Sequence, residues 1–203
     1  MCCLFLAASS TVAIAQTNVV DLVNPIIGTN GMGHTFPGAC VPFGLVQLSP
    51  DTDTIPHNVD GKYQPRSYEY CAGYQHKDSS IVGFSHTHFS GTGHSDLGDI
   101  LIMPTTGTLK LNPGTATNPD GGYRSRFSHD TEISRPGYYE VMLADYGVKA
   151  QLTTTQRAGI HKYTYPTNSE NQRIILDMIH GIYNYDGKVL WTNIRVENDT
   201  LVT

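Results

Sequence analysis

The chain has 203 residues, a formal net charge of -5 and a charged fraction of 15%. Acidic residues (18) outnumber Lys and Arg (13), which argues against the basic surplus typical of nucleic-acid-binding proteins. A disordered chain is excluded because 39% of the residues are hydrophobic. Gly (20) and Pro (11) interrupt the chain throughout, which excludes a coiled coil. The length suits one globular domain.

The first fifteen residues are typical of a secretory signal peptide. Apolar residues begin at Leu4, and Ala13-Ile14-Ala15 is a small-x-small cleavage pattern. The apolar run is shorter than the roughly 20 residues that cross a bilayer, so we expect no membrane span. No Lys or Arg precedes the run, which departs from the usual pattern and leaves a buried N-terminal strand as the alternative. We expect export to the cell exterior or periplasm, with residues 16–203 as the mature domain.

Apolar and polar residues alternate along the second half of the chain and predict antiparallel strands. The alternation at 139–143 and 148–155 flanks a turn at 145–147, which predicts a hairpin with one buried face. Further strands are predicted at 160–165, 173–179 and 189–197, and the run at 173–179 is apolar enough to be expected at the centre of a sheet. Short strands at this spacing predict an all-β fold, an antiparallel β-sandwich. The strand pattern runs on to the last residue, so we expect this sandwich to be incomplete at its C-terminal end.

A histidine-rich segment between Gly83 and Asp99 has the densest set of chemically active side chains. His86 and His88 would share one face of a strand, and together with His94 and Asp96 they offer the donor types of a zinc site. The alternative is that these side chains bind a ligand by hydrogen bonds or fix a loop. A serine nucleophile at position 90 is disfavoured because the G-x-S-x-G context is missing.

A glycine-rich loop at 28–38 is the second candidate. Its spacing is not G-x-G-x-x-G and no Lys-Ser/Thr pair follows, so nucleotide binding is disfavoured. A turn that brings the backbone at Gly28 and the side chain of His34 close to a ligand fits the sequence better.

Three tyrosines, Tyr68, Tyr70 and Tyr74, form the third candidate. Exposed tyrosine rings beside polar loops suit the faces of sugars, and ordinary core tyrosines are the equal alternative. Glycoside hydrolysis needs two carboxylates, but none of Asp78, Asp96 and Asp99 stands in a context that marks it as acid or base.

Two cysteines, Cys40 and Cys71, lie outside the signal segment. In an exported protein they could pair, and Cys71 could equally be a small buried residue.

Several segments taken together closely resemble the N-terminal region of glycoside hydrolase family 92. They occur in the right order and cover essentially the whole mature chain. The segments are 24–29, 34–39, 41–52, 83–93, 96–100, 123–129 and 136–139.

This resemblance implies a secreted or periplasmic, calcium-dependent exo-α-mannosidase that inverts the anomeric centre and acts on N-glycans or mannan. The family fold joins an N-terminal β-sandwich to a much larger (α/α) barrel, which carries the general acid, the general base and most Ca²⁺ ligands. This chain has nothing resembling the barrel. The resemblance therefore implies no catalytic and no metal-binding residue here, an inactive isolated chain, and two partners: a mannose-containing glycan and the missing barrel.

The sandwich of this family contributes loops to the active-site cleft, and three segments match them: 28–38, 68–74 and 85–96. The substrate-binding residues that the resemblance implies are Gly28, His34, Tyr68, Tyr70, Tyr74, His86, His88, Ser90, His94 and Asp96. Many members have tryptophan where this chain has Tyr68 and Tyr70, and some have cysteine at position 94. A free-standing carbohydrate-binding sandwich is the alternative function, and a metal-dependent enzyme built on His86, His88 and His94 is a third.

Overall fold

The computed structural model describes residues 18–91, 97–182 and 187–203. In these ranges the chain is built from short strands joined by loops, and its helices are 3₁₀ turns of at most six residues. The strands are β1 (Ser49–Asp51), β2 (Asn58–Val59), β3 (Lys62–Tyr63), β4 (Ser80–Ile81), β5 (Gly83–Ser85), β6 (Leu101–Thr105), β7 (Ser125–Arg126), β8 (Ile133–Arg135), β9 (Tyr138–Leu143), β10 (Val148–Thr154), β11 (Gly159–Thr164), β12 (Arg173–Asp177), β13 (Val196–Asn198) and β14 (Leu201–Val202). The 3₁₀ helices are Val19–Leu22, Pro65–Tyr70, Pro119–Gly121 and His129–Thr131. None of these helices is long and apolar enough to cross a membrane. The proposed signal peptide lies outside the described residues.

Two four-stranded antiparallel sheets share one hydrophobic core. The first has the strand order β1-β5-β6-β12 and the second the order β11-β10-β9-β8. Phe84 of the first sheet and Tyr139 of the second lie in one buried cluster, with ring centroids 6.4 Å apart. The predicted all-β class and antiparallel sandwich are confirmed.

The β9–β10 hairpin forms as its alternating pattern predicts. Val141, Leu143, Val148 and Ala150 are all completely buried, while their neighbours along each strand face outward. Each large aliphatic side chain buried in this way contributes about 1.5–3 kcal/mol, so the pattern that identifies the hairpin also holds it to the core. Gly147 supplies the left-handed backbone (φ 63°) that the turn requires.

The apolar run at 173–179 is not central. It forms β12, which lies at the edge of the first sheet and pairs with β6. Ile174 is 56% exposed and Leu176 is 38% exposed, because their side chains point away from the core. The prediction of a central strand was wrong, since a continuous apolar run shows that both faces are apolar and says nothing about whether both edges are paired.

The predicted strand at 189–197 is also wrong for most of its length. Residues 189–195 have no regular structure, and the strand begins at Val196, where β13 pairs with β14. Trp191 is 81% exposed and Ile194 is 46% exposed. The alternating pattern is present, but no described sheet lies beside these residues to bury it.

Candidate functional site

The three loops predicted as a set lie together, with the glycine-rich loop at 28–38 between the other two. The side-chain amide of Gln75 accepts a hydrogen bond from the Gly31 N–H (2.7 Å) and donates one to the Gly31 carbonyl (2.9 Å). The His76 N–H donates to the Thr29 carbonyl at 2.8 Å, so the segment after Tyr74 is held twice. On the other side, the Gly91 N–H donates to the His34 carbonyl at 2.7 Å. The glycine-rich loop therefore contacts the tyrosine loop and the histidine-rich segment at once.

The tip of the glycine-rich loop is tightly folded. A Cβ atom on Gly33 would lie 2.1 Å from the Gly28 carbonyl oxygen, so only glycine fits at position 33. His34 follows in the left-handed region (φ 53°), which is uncommon for a residue with a side chain. Its Nε2 atom is buried and has no hydrogen-bond partner among the described residues. Burial lowers the pKa of His34, which favours a neutral imidazole.

The three candidate tyrosines differ in exposure. Tyr68 is half-buried, and its ring meets the His34 ring edge-on with centroids 4.6 Å apart. Tyr70 and Tyr74 are 2% and 1% exposed. Their hydroxyls donate to Asp78 (3.1 Å) and to Glu132 (2.9 Å). The premise of exposed rings is therefore wrong for Tyr70 and Tyr74, which pack behind the loop, whereas Tyr68 stays a candidate for sugar contact.

His88 belongs to a buried charged network. Its Nδ1 lies 2.8 Å from the Gln47 carbonyl oxygen, and its Nε2 lies 2.9 Å from Asp51 Oδ1 and 3.1 Å from Ser85 Oγ. Because a carbonyl and an ionised carboxylate can only accept, both ring nitrogens of His88 are placed to donate, as they do in the charged form of the ring. The other oxygen of Asp51 accepts from His180 Nε2 at 2.7 Å.

Asp51 is the centre of this network and is completely buried. Burial by itself raises the pKa of Asp51, but the charge of His88 and the hydrogen bonds from His180 and His88 outweigh it and hold the pKa well below its usual range. A Cβ atom on Gly73 would lie 2.0 Å from Asp51 Oδ1, so the tyrosine loop approaches the carboxylate through its backbone. The network thus ties β1, the histidine-rich segment and the tyrosine loop together.

His86 takes part in a separate chain of hydrogen bonds. Its Nδ1 donates to the Ile100 carbonyl at 2.6 Å, and its Nε2 lies 3.2 Å from Nε2 of His161. The hydroxyl of Tyr163 lies 2.7 Å from His161 Nδ1. Burial, and next the neighbouring His86, lowers the pKa of His161 to about 3, so this ring is neutral at physiological pH. The prediction that His86 and His88 share a strand face was wrong, because β5 ends at Ser85.

Ser90 is exposed and lines a groove with a volume of about 590 Å³. Phe36 and His88 form part of the same wall, and Arg135 lines the groove as well. Phe43 stands at this groove fully exposed, with a left-handed backbone (φ 58°). His94 and Asp96 lie outside the described residues.

The remaining candidate groups are engaged in structural contacts. The Asp78 carboxylate accepts from Thr52 Oγ1 at 2.6 Å, and Asp99 accepts from Thr87 Oγ1 at 2.9 Å. Cys40 and Cys71 are both free thiols in this structure. Burial raises the pKa of Cys71 to about 11, which leaves that thiol protonated and unreactive.

Four residues of this region carry no signal in the sequence analysis. Asp51, Gln75, His161 and His180 each act on a partner far along the chain, up to 129 residues away for Asp51 and His180. An aspartate inside a strand and a histidine after one have no local spacing rule that would pair them. Only the resemblance, which includes Asp51 in the matched segment 41–52, pointed to any of them.

Together these features define an all-β domain with a polar loop cluster fixed by a buried carboxylate. A family model described as the glycosyl hydrolase family 92 N-terminal domain matches residues 22–203. The chain therefore belongs to glycosyl hydrolase family 92 and carries the N-terminal domain of that family, as the resemblance of its loops predicted.

Individual relatives agree with this assignment. A family GH92 α-mannosidase from Bacteroides thetaiotaomicron, solved in complex with mannoimidazole, is 48% identical with a TM-score of 0.74, over 81% of this chain and 20% of that chain. The GH92 glycosyl hydrolase ccman5 is 29% identical with a TM-score of 0.63, over 81% of this chain and 21% of that chain. An uncharacterized secreted glycosidase from Arthroderma benhamiae is 29% identical over 170 residues, which are 79% of this chain and 19% of that protein. The chain thus spans about a fifth of the length of each of these relatives.

Proposed function

We propose that this chain is the cleft-forming N-terminal domain of an exported, inverting exo-α-mannosidase that acts on N-glycans or mannan. The observation that carries the proposal is the junction of the three loops at His34, in a chain that belongs to family 92. The 48% identity to an α-mannosidase solved with mannoimidazole supports mannose as the sugar. Export is supported by the signal-like first fifteen residues and by a relative described as secreted.

In this proposal the domain binds and orients the sugar. His34 brings an imidazole to the loop junction, where its buried Nε2 has no partner among the described residues, and Tyr68 offers a half-buried aromatic ring beside it. Ser90 offers an exposed hydroxyl at the groove. Sugars bind to such sets of neutral polar groups and rings, because each hydroxyl both donates and accepts.

The buried Asp51 network keeps these groups in place. A loop cluster made of Gly, Ser and Thr has little packing of its own, so its geometry depends on a rigid support. Asp51 and His88 form that support beneath the histidine-rich segment. We therefore assign His88 a positioning role and not direct contact with the sugar.

The candidate carboxylates of the described loops do not suit the reaction. An inverting glycosidase uses two carboxyl groups about 6.5–9.5 Å apart, one as acid and one as base. Asp51 is ion-paired, and Asp78 and Asp99 are held by hydroxyl donors. We therefore expect the isolated chain to be inactive and both carboxyl groups to come from a second, catalytic domain.

An apolar surface is available for such a domain. Ile27 is 74% exposed, Leu45 is 70% exposed and Phe43 is fully exposed. Large exposed apolar side chains mark interaction surfaces where they lie close together, as Phe43 and Leu45 do along the chain. We propose that the catalytic domain packs against this surface beside the loop cluster.

Calcium is part of the proposal for the whole enzyme, where it would polarise and orient the sugar. The described residues of this chain do not fit Ca²⁺ by themselves. Calcium takes six to eight oxygen ligands, and the one group of three candidate metal ligands in the described ranges contains two histidines. We derive no step through calcium and place its ligands in the catalytic domain.

The test uses the complete reading frame with α-linked mannobiose as substrate. We expect Tyr68→Ala to lower kcat/KM by about 10- to 100-fold, that is about 1.4–2.7 kcal/mol. Tyr63→Ala is the matched control, because Tyr63 is an exposed tyrosine on β3 outside the loop cluster. NMR of the first-formed mannose anomer tests inversion, and omission of Ca²⁺ tests the metal requirement.

The 203-residue chain alone distinguishes the proposal from a free-standing carbohydrate-binding module. We expect no hydrolysis of mannobiose and no measurable binding to mannan by calorimetry. Tight binding of mannan by this chain, with no catalytic domain in the reading frame, would favour the binding module. Unchanged kcat/KM in Tyr68→Ala would remove the assigned role of Tyr68.

A further inference from the structure

His76, His129 and Glu132 bring two imidazoles and a carboxylate together outside the loop cluster. Their ligand atoms all lie within 4.8 Å of one another. Two histidines with one glutamate is a donor set that zinc takes in proteins, at distances of about 2.0–2.2 Å. We propose that these three residues form a binding site for a divalent transition metal ion of the zinc class.

The carboxylate of the cluster is already oriented as a metal ligand would be. The Glu132 side chain is 2% exposed, and the hydroxyls of Tyr74 and Tyr139 donate to its Oε1 at 2.9 and 2.6 Å. The other oxygen, Oε2, lies 2.7 Å from His129 Nδ1 and 3.0 Å from the Tyr74 hydroxyl, which is shared between the two carboxylate oxygens. Hydrogen bonds of this kind fix the direction of a metal-binding carboxylate, and here they leave Oε2 directed toward the two imidazoles.

His76 supplies a buried atom in need of a partner. Its Nδ1 has no hydrogen-bond partner among the residues that the structure describes. A buried polar nitrogen left in this state is unfavourable, because it has lost its hydrogen bonds to water and gained none in return. The backbone of His76 is fixed by its bond to Thr29, so the side chain is held near the cluster. A metal ion would satisfy the nitrogen without moving the backbone.

His129 is the adjustable member of the set. It opens a 3₁₀ helix capped by Ser128, and the i, i+3 spacing places it beside Glu132. Its ring stacks on His76 with centroids 3.9 Å apart. A ligand lone pair lies in the ring plane, so binding requires this ring to turn out of the stack. The side chain is 37% exposed and has room to do so.

Metal binding would join two parts of the chain. His76 follows the tyrosine loop, whereas His129 and Glu132 precede β8 of the second sheet. The ion would take the place of the hydrogen bond between His129 Nδ1 and Glu132 Oε2. This inference does not depend on the sugar-binding proposal, because none of its three ligands is assigned to the sugar.

Calorimetric titration of the tag-free 203-residue chain with ZnCl₂ tests the site. We expect one zinc ion per chain. His129→Ala and His76→Gln should each weaken binding by at least tenfold, and CaCl₂ should give no binding. His57→Ala is the matched control, since it removes an imidazole outside the cluster, and should bind zinc as the unmodified chain does. Circular dichroism verifies that each variant is folded.

The absence of stoichiometric zinc binding would overturn the proposal. Binding that persists undiminished in both folded variants would overturn it too, because the ion would then sit elsewhere, for example on the cysteine thiols. An equal loss in His57→Ala would show a nonspecific effect of removing imidazoles and would count against the site as well. A visible Co²⁺ spectrum that is lost in His129→Ala would support it independently.

Discussion

Replacing Asp51 by Asn tests whether the buried network supports the loop cluster. The substitution keeps the shape of the side chain but removes its charge, while His88 and His180 still direct N–H groups at it. Removing one partner of a buried ion pair costs about 3–5 kcal/mol, because the other charge is left buried without compensation. Asp51 and His88 have side chains only 1% and 0% exposed, so little solvent is present to lower this cost.

The expected loss is therefore about 3 kcal/mol or more in the free energy of unfolding. For a domain of this size each kcal/mol corresponds to about 2–4 °C in Tm, which predicts a drop of about 6–12 °C. Urea denaturation and thermal melting, both followed by circular dichroism, measure the two quantities. Asp60→Asn is the matched control, since Asp60 is exposed in the β2–β3 turn and its left-handed backbone (φ 51°) suits Asn.

The pH dependence of the same network has a definite sign. The folded pKa of Asp51 lies below its usual value, so the ionised form stabilises the fold. This contribution is fully present above the unfolded pKa of about 3.9 and is lost as the pH falls below it. The difference in stability between the unmodified chain and Asp51→Asn should shrink on acidification. A difference under about 0.5 kcal/mol at pH 7 would refute the supporting role of Asp51.

Two further predictions concern backbone fit and histidine charge. Gly73→Ala should destabilise the chain by more than about 2 kcal/mol, since the new Cβ would lie 2.0 Å from Asp51 Oδ1. Gly31 has open space around it, so Gly31→Ala should cost only about 1–2 kcal/mol for its left-handed backbone. Equal losses of stability in urea denaturation would contradict the close contact at Gly73. The ring of His161, with its pKa of about 3, should stay neutral from pH 8 to pH 4 in NMR spectra of the folded chain. The lowered pKa stabilises the fold fully above the unfolded pKa of about 6.5, and this contribution is lost as the pH falls from there toward 3. A His161 titration midpoint near 6.5 in the folded state would contradict burial beside His86.

The sequence predicts well which residues form strands of the central hairpin, and it predicts poorly where a strand lies in a sheet. The β9–β10 hairpin follows from a period-two pattern of apolar and polar residues, which is a local property visible within about seven consecutive residues. Other local patterns failed: the continuous apolar run at 173–179 misplaced β12 at the centre of a sheet, and alternation suggested a strand at 189–195 that does not form. Whether an apolar face is buried depends on the sheet next to it, and that sheet comes from residues far along the chain.

The amino-acid sequence by itself determined the all-β class, the central hairpin and, through the resemblance of its loop motifs, the family and the three loops that meet at His34. Only the tertiary structure decided which side chains of those loops are accessible to a ligand. In that structure Tyr70 and Tyr74 are buried, His88 contacts Asp51, and His76 lies beside Glu132. The physical reason is that a polar side chain's role is set by the partner that satisfies it, and such partners lie at sequence separations that no local pattern encodes.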